Sequence, residues 1–171
     1  MKKIVLTYGL ISGSVFTVFL FAMIPFGEQI GFGAGSYVLG YTVMFLAFLL
    51  IFFGVRSYRE NVGNGAVSFG RALGVGLLIM LISCLMYVIT WEIVFYNFVP
   101  GFADKYAAVM MEQMKAEGAA AAEIEQATSM MKLYRDNVLF NSLITFTEPL
   151  PVGLLVSLLS AAVLKKKPAA S

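Results

Sequence analysis

Four long apolar stretches, separated by polar connectors into which Lys and Arg are unevenly sorted, constrain this chain more than any other feature. A helix that crosses a bilayer needs about 20 predominantly apolar residues, and it must satisfy every backbone polar group internally because the hydrocarbon offers no water. Such stretches run over Ile4 to Phe26, Tyr37 to Val55, Leu73 to Phe98 and Val138 to Leu164, and they use up most of the 171 residues. Hydrophobic residues make up 60% of the chain and charged residues 13%, against about 45–50% and about 25% in soluble domains. The predicted fold class is therefore all-α: a polytopic membrane protein of four transmembrane helices, with residues 1–171 as one membrane domain.

The basic residues give an orientation. With Lys2 and Lys3 in the cytoplasm, four crossings put Gly27 to Ser36 outside, Arg56 to Ala72 inside, Pro100 to Asn137 outside and Lys165 to Ser171 inside. Eight of the 12 Lys and Arg then lie inside, close to span ends. The other four, Lys105, Lys115, Lys132 and Arg135, sit in the long outer loop, where charge carries less topological weight. The expectation is N-in and C-in, in an inner membrane. Lys2 and Lys3 before an apolar run also describe a secretory signal, but the run continues to Phe26 and no small-x-small cleavage site follows, so an uncleaved first span is expected.

Several chemistries are excluded by what the chain lacks. It has no histidine, which removes the commonest general base, the usual zinc ligand and the usual axial haem ligand. Its one cysteine, Cys84, lies mid-span and cannot form an intramolecular disulfide or a thiolate cluster. No catalytic, cofactor-binding or metal-binding residues are assigned, no cofactor is expected, and nothing points to nucleic acid.

In lipid, helices associate through close backbone approach, and small residues four apart mark the seams. Gly9 and Gly13, Gly70 and Gly74, Ala72 and Gly76, and Gly153, Ser157 and Ala161 are such sets. They predict intramolecular packing, with a homo-oligomer seam as the alternative. Tyr37, Tyr41, Tyr87, Trp91 and Tyr96 lie toward span ends, as interfacial aromatic residues do. The second connector carries an Asn64-Gly65 turn signal, and Ser68 stands where a helix cap belongs. Arg56, Arg59 and Arg71 are candidate contacts for anionic lipid or a cytosolic partner, although positive-inside sorting alone accounts for them.

The outer loop, residues 100–137, turns to Ala, Glu, Gln, Lys and Met, with Gly118 as the strong breaker, and so predicts an extracytoplasmic helical hairpin between helices 3 and 4. Phe102, Tyr106, Met110 and Met114 form one apolar stripe; Ile124, Thr128, Met131 and Tyr134 come close to another. Five of the 10 methionines lie here, namely Met110, Met111, Met114, Met130 and Met131. Thioethers ligate Cu(I), but methionine also fills irregular helix contacts, and the latter is the expectation.

Two carboxylates fall inside spans, Glu92 and Glu148, and an intramembrane ionisable group is a functional candidate by default. On the fourth span Asn141, Thr145 and Glu148 occupy i, i+4 and i+7, and Pro149 and Pro151 follow, predicting a bend beside a polar face. Tyr96 lies one turn beyond Glu92. Antiparallel third and fourth spans would bring both carboxylates to one level, so Glu92, Tyr96, Asn141, Thr145 and Glu148 form the candidate pocket. It serves either as a polar lock that ties two helices, with at least one carboxyl protonated, or as a proton or cation site coupled to transport of a small solute. Catalysis is the weakest of the three, since a carboxylate pair alone lacks a nucleophile, metal or cofactor.

Gly54-Val-Arg-Ser-Tyr-Arg-Glu-Asn, Val67-Ser-Phe-Gly-Arg-Ala, the run from Tyr87 to Trp91 and Pro151-Val-Gly-Leu-Leu to Lys167 carry a resemblance over nearly the whole chain. It resembles a family of small four-span bacterial membrane proteins, found chiefly in Bacteroidetes and catalogued as a domain of unknown function. The resemblance implies the same topology and an inner-membrane address, and implies no activity or cofactor. The expected function is a non-enzymatic scaffold or partner-binding protein. Its partners are the bilayer and a second copy or another membrane protein, met through the small-residue faces or the outer loop.

Overall fold

The structure is a computed structural model that describes residues 1–26, 34–99 and 101–167. Most of the expected first connector, Pro100 at the head of the outer loop and the last residues of the tail lie outside these. Among the described residues seven α-helices follow one another: α1 (Lys2–Met23, continued by a short 3-10 turn, Ile24–Phe26), α2 (Ala34–Asn61), α3 (Phe69–Asn97), α4 (Phe102–Ala116), α5 (Ala121–Asp136), α6 (Val138–Thr147) and α7 (Leu150–Leu164). Four stretches of the described residues are long and apolar enough to cross a membrane: Lys2–Phe26, Gly35–Asn61, Phe69–Asn97 and Val138–Leu164, the last being the least apolar.

Two of the differences between these bounds and the apolar runs have a plain physical reason. α2 continues past Val55 through Arg56, Arg59 and Glu60, where an Arg56–Glu60 pair at i, i+4 (3.0 Å) carries the helix beyond its apolar part. The fourth stretch is broken in the middle. Pro149 has no N–H for the carbonyl of Thr145, and the Glu148 amide takes that carbonyl instead at 3.3 Å. Glu148 and Pro149 keep right-handed helical dihedrals, so the chain bends there and does not turn back.

Packing contacts give the directions. Ser12 donates to the Ala47 carbonyl (3.0 Å) and Ser83 to that of Gly9 (3.2 Å), while Thr17 and Thr90 share a hydroxyl bond (2.9 Å). Tyr8 lies against Gly54, Ile51 and Ser157 against Gly76, and Met80 against Gly153. α1 and α3 therefore run together, with α2 and α7 antiparallel to them. α2 and α3 each pack against both α1 and α7, while α6 leaves α2 and packs on α3 and α5.

The interior is built from Phe16, Phe48, Ile51, Val55, Val75, Ile79 and Cys84 together with Ser12, Ser83, Ser157 and Ser160. Large apolar residues cover the outside: Val18, Leu139 and Val163 are 68%, 69% and 71% exposed. This sorting suits a hydrocarbon surround, in which outward leucine and valine cost nothing and small residues let backbones approach.

Gly9 and Gly13 lie where a Cβ would meet Ile82 and Met86 of α3, and Gly153 faces Met80 and Phe48. Gly70 and Gly74, identical in spacing, face open space. Beyond the far ends of α3 and α6, α4 and α5 form a helical hairpin that turns at Gly118 (φ 77°), the breaker of the sequence reading.

Candidate functional site

The hairpin meets the bundle at a junction of polar and aromatic side chains from α3, α5 and α6. Asn137 caps α6 by accepting the Phe140 amide on its Oδ1 (3.0 Å), which starts the helix immediately after α5. From there the i, i+4 spacing aims Asn141 and Thr145 inward, and both are fully buried. Thr145 Oγ1 donates to Asn141 Oδ1 (3.1 Å), and Asn141 Nδ2 donates to the Tyr134 carbonyl (3.2 Å). Tyr134 Oη lies 3.2 Å from Thr145 Oγ1 and accepts from Trp91 Nε1 at 2.8 Å. Indole can only donate, and the Thr145 proton is already committed to Asn141, so the Tyr134 hydroxyl must donate to Thr145. The chain Trp91, Tyr134, Thr145, Asn141 and back to the Tyr134 backbone is thus closed, with each donor matched to an acceptor.

Rings reinforce it. Trp91 packs edge-on against Phe102 (5.3 Å between centroids), Phe95 against Tyr134 (5.6 Å) and against Phe102 (6.1 Å), and Phe102 stacks on Tyr106 (6.3 Å). Aromatic pairs of this kind each contribute about 0.5–1.5 kcal/mol beyond their burial. A cavity of about 220 Å³ remains between Phe95, Tyr96, Phe102 and Arg135.

Two outer contacts complete the base of the hairpin. Arg135 bonds Asp104 (2.7 Å) and Asp136 (2.8 Å), which raises its own pKa and holds Asp136 below the ordinary carboxylate range. These pairs are exposed and contribute little to stability. The hydroxyls of Tyr37 on α2 and Tyr106 on α4 lie 2.9 Å apart, and that bond is the main cause pushing Tyr106 up to about 12. Burial, aided by the charge of Glu148, does the same to Tyr134.

The two carboxylates sit beside this junction at different depths. Ser142 Oγ donates to Glu92 Oε1 at 2.6 Å, while Glu92 Oε2 is buried without a partner. Tyr87 Oη donates to Glu148 Oε2 at 2.8 Å. Tyr87 and Glu148 lie five and six residues deeper than Glu92 and Ser142 along their helices, about 8–9 Å by helical rise. The shared level expected of the carboxylates is not found, because Ser142 and not Glu148 stands opposite Glu92. Each carboxylate instead accepts from its own neutral hydroxyl.

Of the five residues singled out in the sequence, Asn141 and Thr145 are joined directly. Glu92 and Glu148 flank them, and Glu148 reaches the bundle surface at the helix break. Tyr96 is exposed and donates to the Arg135 carbonyl (3.3 Å) at the foot of the hairpin, one turn from Glu92 and not hydrogen-bonded to it. Sequence reasoning left out four partners, Tyr87, Trp91, Tyr134 and Ser142. Tyr87 and Trp91 read as interfacial aromatics yet turn inward. Tyr134 closes the apolar stripe of α5, and Ser142 stands one position off the Asn141–Thr145 row.

The chain matches the family described as Protein of unknown function (DUF4199) over residues 7–166. It belongs to the DUF4199 family. The match takes in all four long apolar stretches and the hairpin, so the junction lies wholly within what defines a DUF4199 protein. No curated protein and no solved structure matches the chain.

At the opposite end of this DUF4199 chain, Arg56 and Arg59 both bond Glu60 (3.0 and 3.3 Å), whereas Arg71 has no ion-pair partner among the described residues.

Proposed function

We propose that the chain is a multi-pass scaffold of the bacterial inner membrane, N-in and C-in, that presents the α4–α5 hairpin on the outer face to a protein partner. The carrying observation is the closed hydrogen-bonded chain from Trp91 through Tyr134 and Thr145 to Asn141, which fastens the hairpin to α3 and α6. A loop fixed in this way offers a partner a preformed surface and spares it the ordering cost of binding. Orientation is supported by the gathering of Lys2, Lys3, Arg56, Arg59, Arg71, Lys165, Lys166 and Lys167 at one end of the bundle, with the hairpin at the other. Glu92 and Glu148 serve the lock as acceptors for Ser142 and Tyr87.

One observation favours a second reading, proton- or cation-coupled movement of a small solute. Glu148 stands at an interrupted helix, as ion-coupling residues of transporters do.

The two readings part on substitution. For the lock, Glu92→Gln and Glu148→Gln keep an acceptor and hold detergent stability near wild type, while Leu at either position costs about 1–3 kcal/mol. For transport, Glu148→Gln keeps the fold and abolishes proton-coupled flux in liposomes. The scaffold itself is tested by photocrosslinking from exposed hairpin positions such as Ser129 in native membranes. A single defined partner is expected, and adducts to lipid alone count against the proposal.

A further inference from the structure

The basic end of the bundle carries a feature independent of the hairpin. A cleft of about 400 Å³ opens between the α2–α3 connector, the start of α3 and the C-terminal tail, with Tyr58, Asn64, Val67, Ser68, Arg71 and Lys166 in its wall. The sequence builds it by a tight turn. Asn64 and Gly65 both take left-handed dihedrals (φ 50° and 82°), and a Cβ on Gly63 would run into the Ala66 carbonyl. Val67 and Lys166 then exchange two backbone hydrogen bonds, 3.0 and 2.9 Å, which clip the tail onto the connector. The clip brings Lys166 into the same cleft as Arg71.

Charge pairing separates these two cations from the arginines of α2. Arg56 and Arg59 are committed to Glu60. Among the described residues Arg71 and Lys166 have no ion-pair partner, and no carboxylate lines the cleft. Two unpaired cations converging from separate segments create a positive potential that an anion relieves. The local backbone adds to it: the Ser68 hydroxyl makes no bond to the first turn of α3, so that turn keeps free N–H groups. Val62 and Phe69, 46% and 40% exposed, flank the turn with apolar surface.

We propose that this cleft binds a phosphate group, gripped by the Arg71 guanidinium as a two-pronged donor and by Lys166 as a point charge. The flanking Val62 and Phe69 favour a phospholipid headgroup as its source, with a soluble phosphate as the other.

The full chain, purified in detergent, is compared with R71Q/K166Q and with R56Q/R59Q, which removes the same two charges outside the cleft. Native mass spectrometry with phosphatidylglycerol against phosphatidylcholine reads the lipid source; thermal stabilisation by inorganic phosphate or pyrophosphate reads the soluble one. The expected result is a phosphatidylglycerol preference that falls about fivefold or more in R71Q/K166Q and survives in R56Q/R59Q. The same pattern with phosphate or pyrophosphate alone assigns the site to a soluble ligand. The single variants R71Q and K166Q, each expected to show a partial loss, carry the test if the double variant does not fold. Equal binding in wild type and R71Q/K166Q, or an equal loss in R56Q/R59Q, overturns the proposal.

Discussion

Tyr134 is the residue on which the hairpin junction turns, since its hydroxyl accepts from Trp91 and donates to Thr145 while its carbonyl accepts from Asn141. Tyr134→Phe keeps the ring contacts and strands the indole N–H, so it should cost about 1–3 kcal/mol. Trp91 is the only tryptophan, and a change in its emission together with a lower midpoint of thermal unfolding in detergent checks this. The same hydroxyl gives a pH dependence. Its pKa rises from an ordinary 10.0 to about 12, chiefly through burial. The fold therefore favours the neutral form: this contribution is intact below pH 10.0 and is lost as the pH rises through about 12. Titration of Trp91 emission should show quenching by tyrosinate near the upper value, and its absence in Tyr134→Phe assigns the transition. Periodicity alone made Asn141, Thr145 and Glu148 legible as one polar row, and the cost of burying a carboxylate flagged Glu92. The donors that answer them were not legible, because Tyr87, Trp91 and Tyr134 reach the site from other elements through packing that no local spacing encodes.

Helices were legible to the extent that lipid dictates them. Runs of apolar residues located all four long stretches, and the composition of the outer loop located the two hairpin helices with their turn at Gly118. Ends were less legible where charged residues continue a helix, as Arg56 and Glu60 do on α2. The partner of a helix face was not legible at all. Gly9 and Gly13 have the same spacing as Gly70 and Gly74, yet the first pair lies under Ile82 and Met86 and the second in the open. Gly9→Leu should therefore lower detergent stability by about 1–3 kcal/mol through overpacking, whereas Gly74→Leu should leave it unchanged. Parallel thermal melts decide the comparison, and a fall in oligomer size with Gly74→Leu would reveal a seam between copies.

The whole molecule has two unlike ends joined by an apolar barrel surface. One end gathers eight basic side chains around the clipped connector and tail; the other holds a hairpin fastened by hydrogen bonds and stacked rings. The all-helical fold with four stretches apolar enough to cross a membrane was legible in the sequence, and the fastening of the hairpin was not, because it depends on side chains separated by up to 54 positions, from Trp91 to Thr145. Hydrogen exchange of the full chain in lipid nanodiscs reads that fastening without an intermediary. Amides of α5 should be protected with those of α3 and α6, and Asn141→Ala combined with Thr145→Val should speed α5 exchange by about tenfold or more without altering α1 and α2. Exchange in α5 that is equally fast in wild type and variant, as for a helix lying free on the surface, would contradict it.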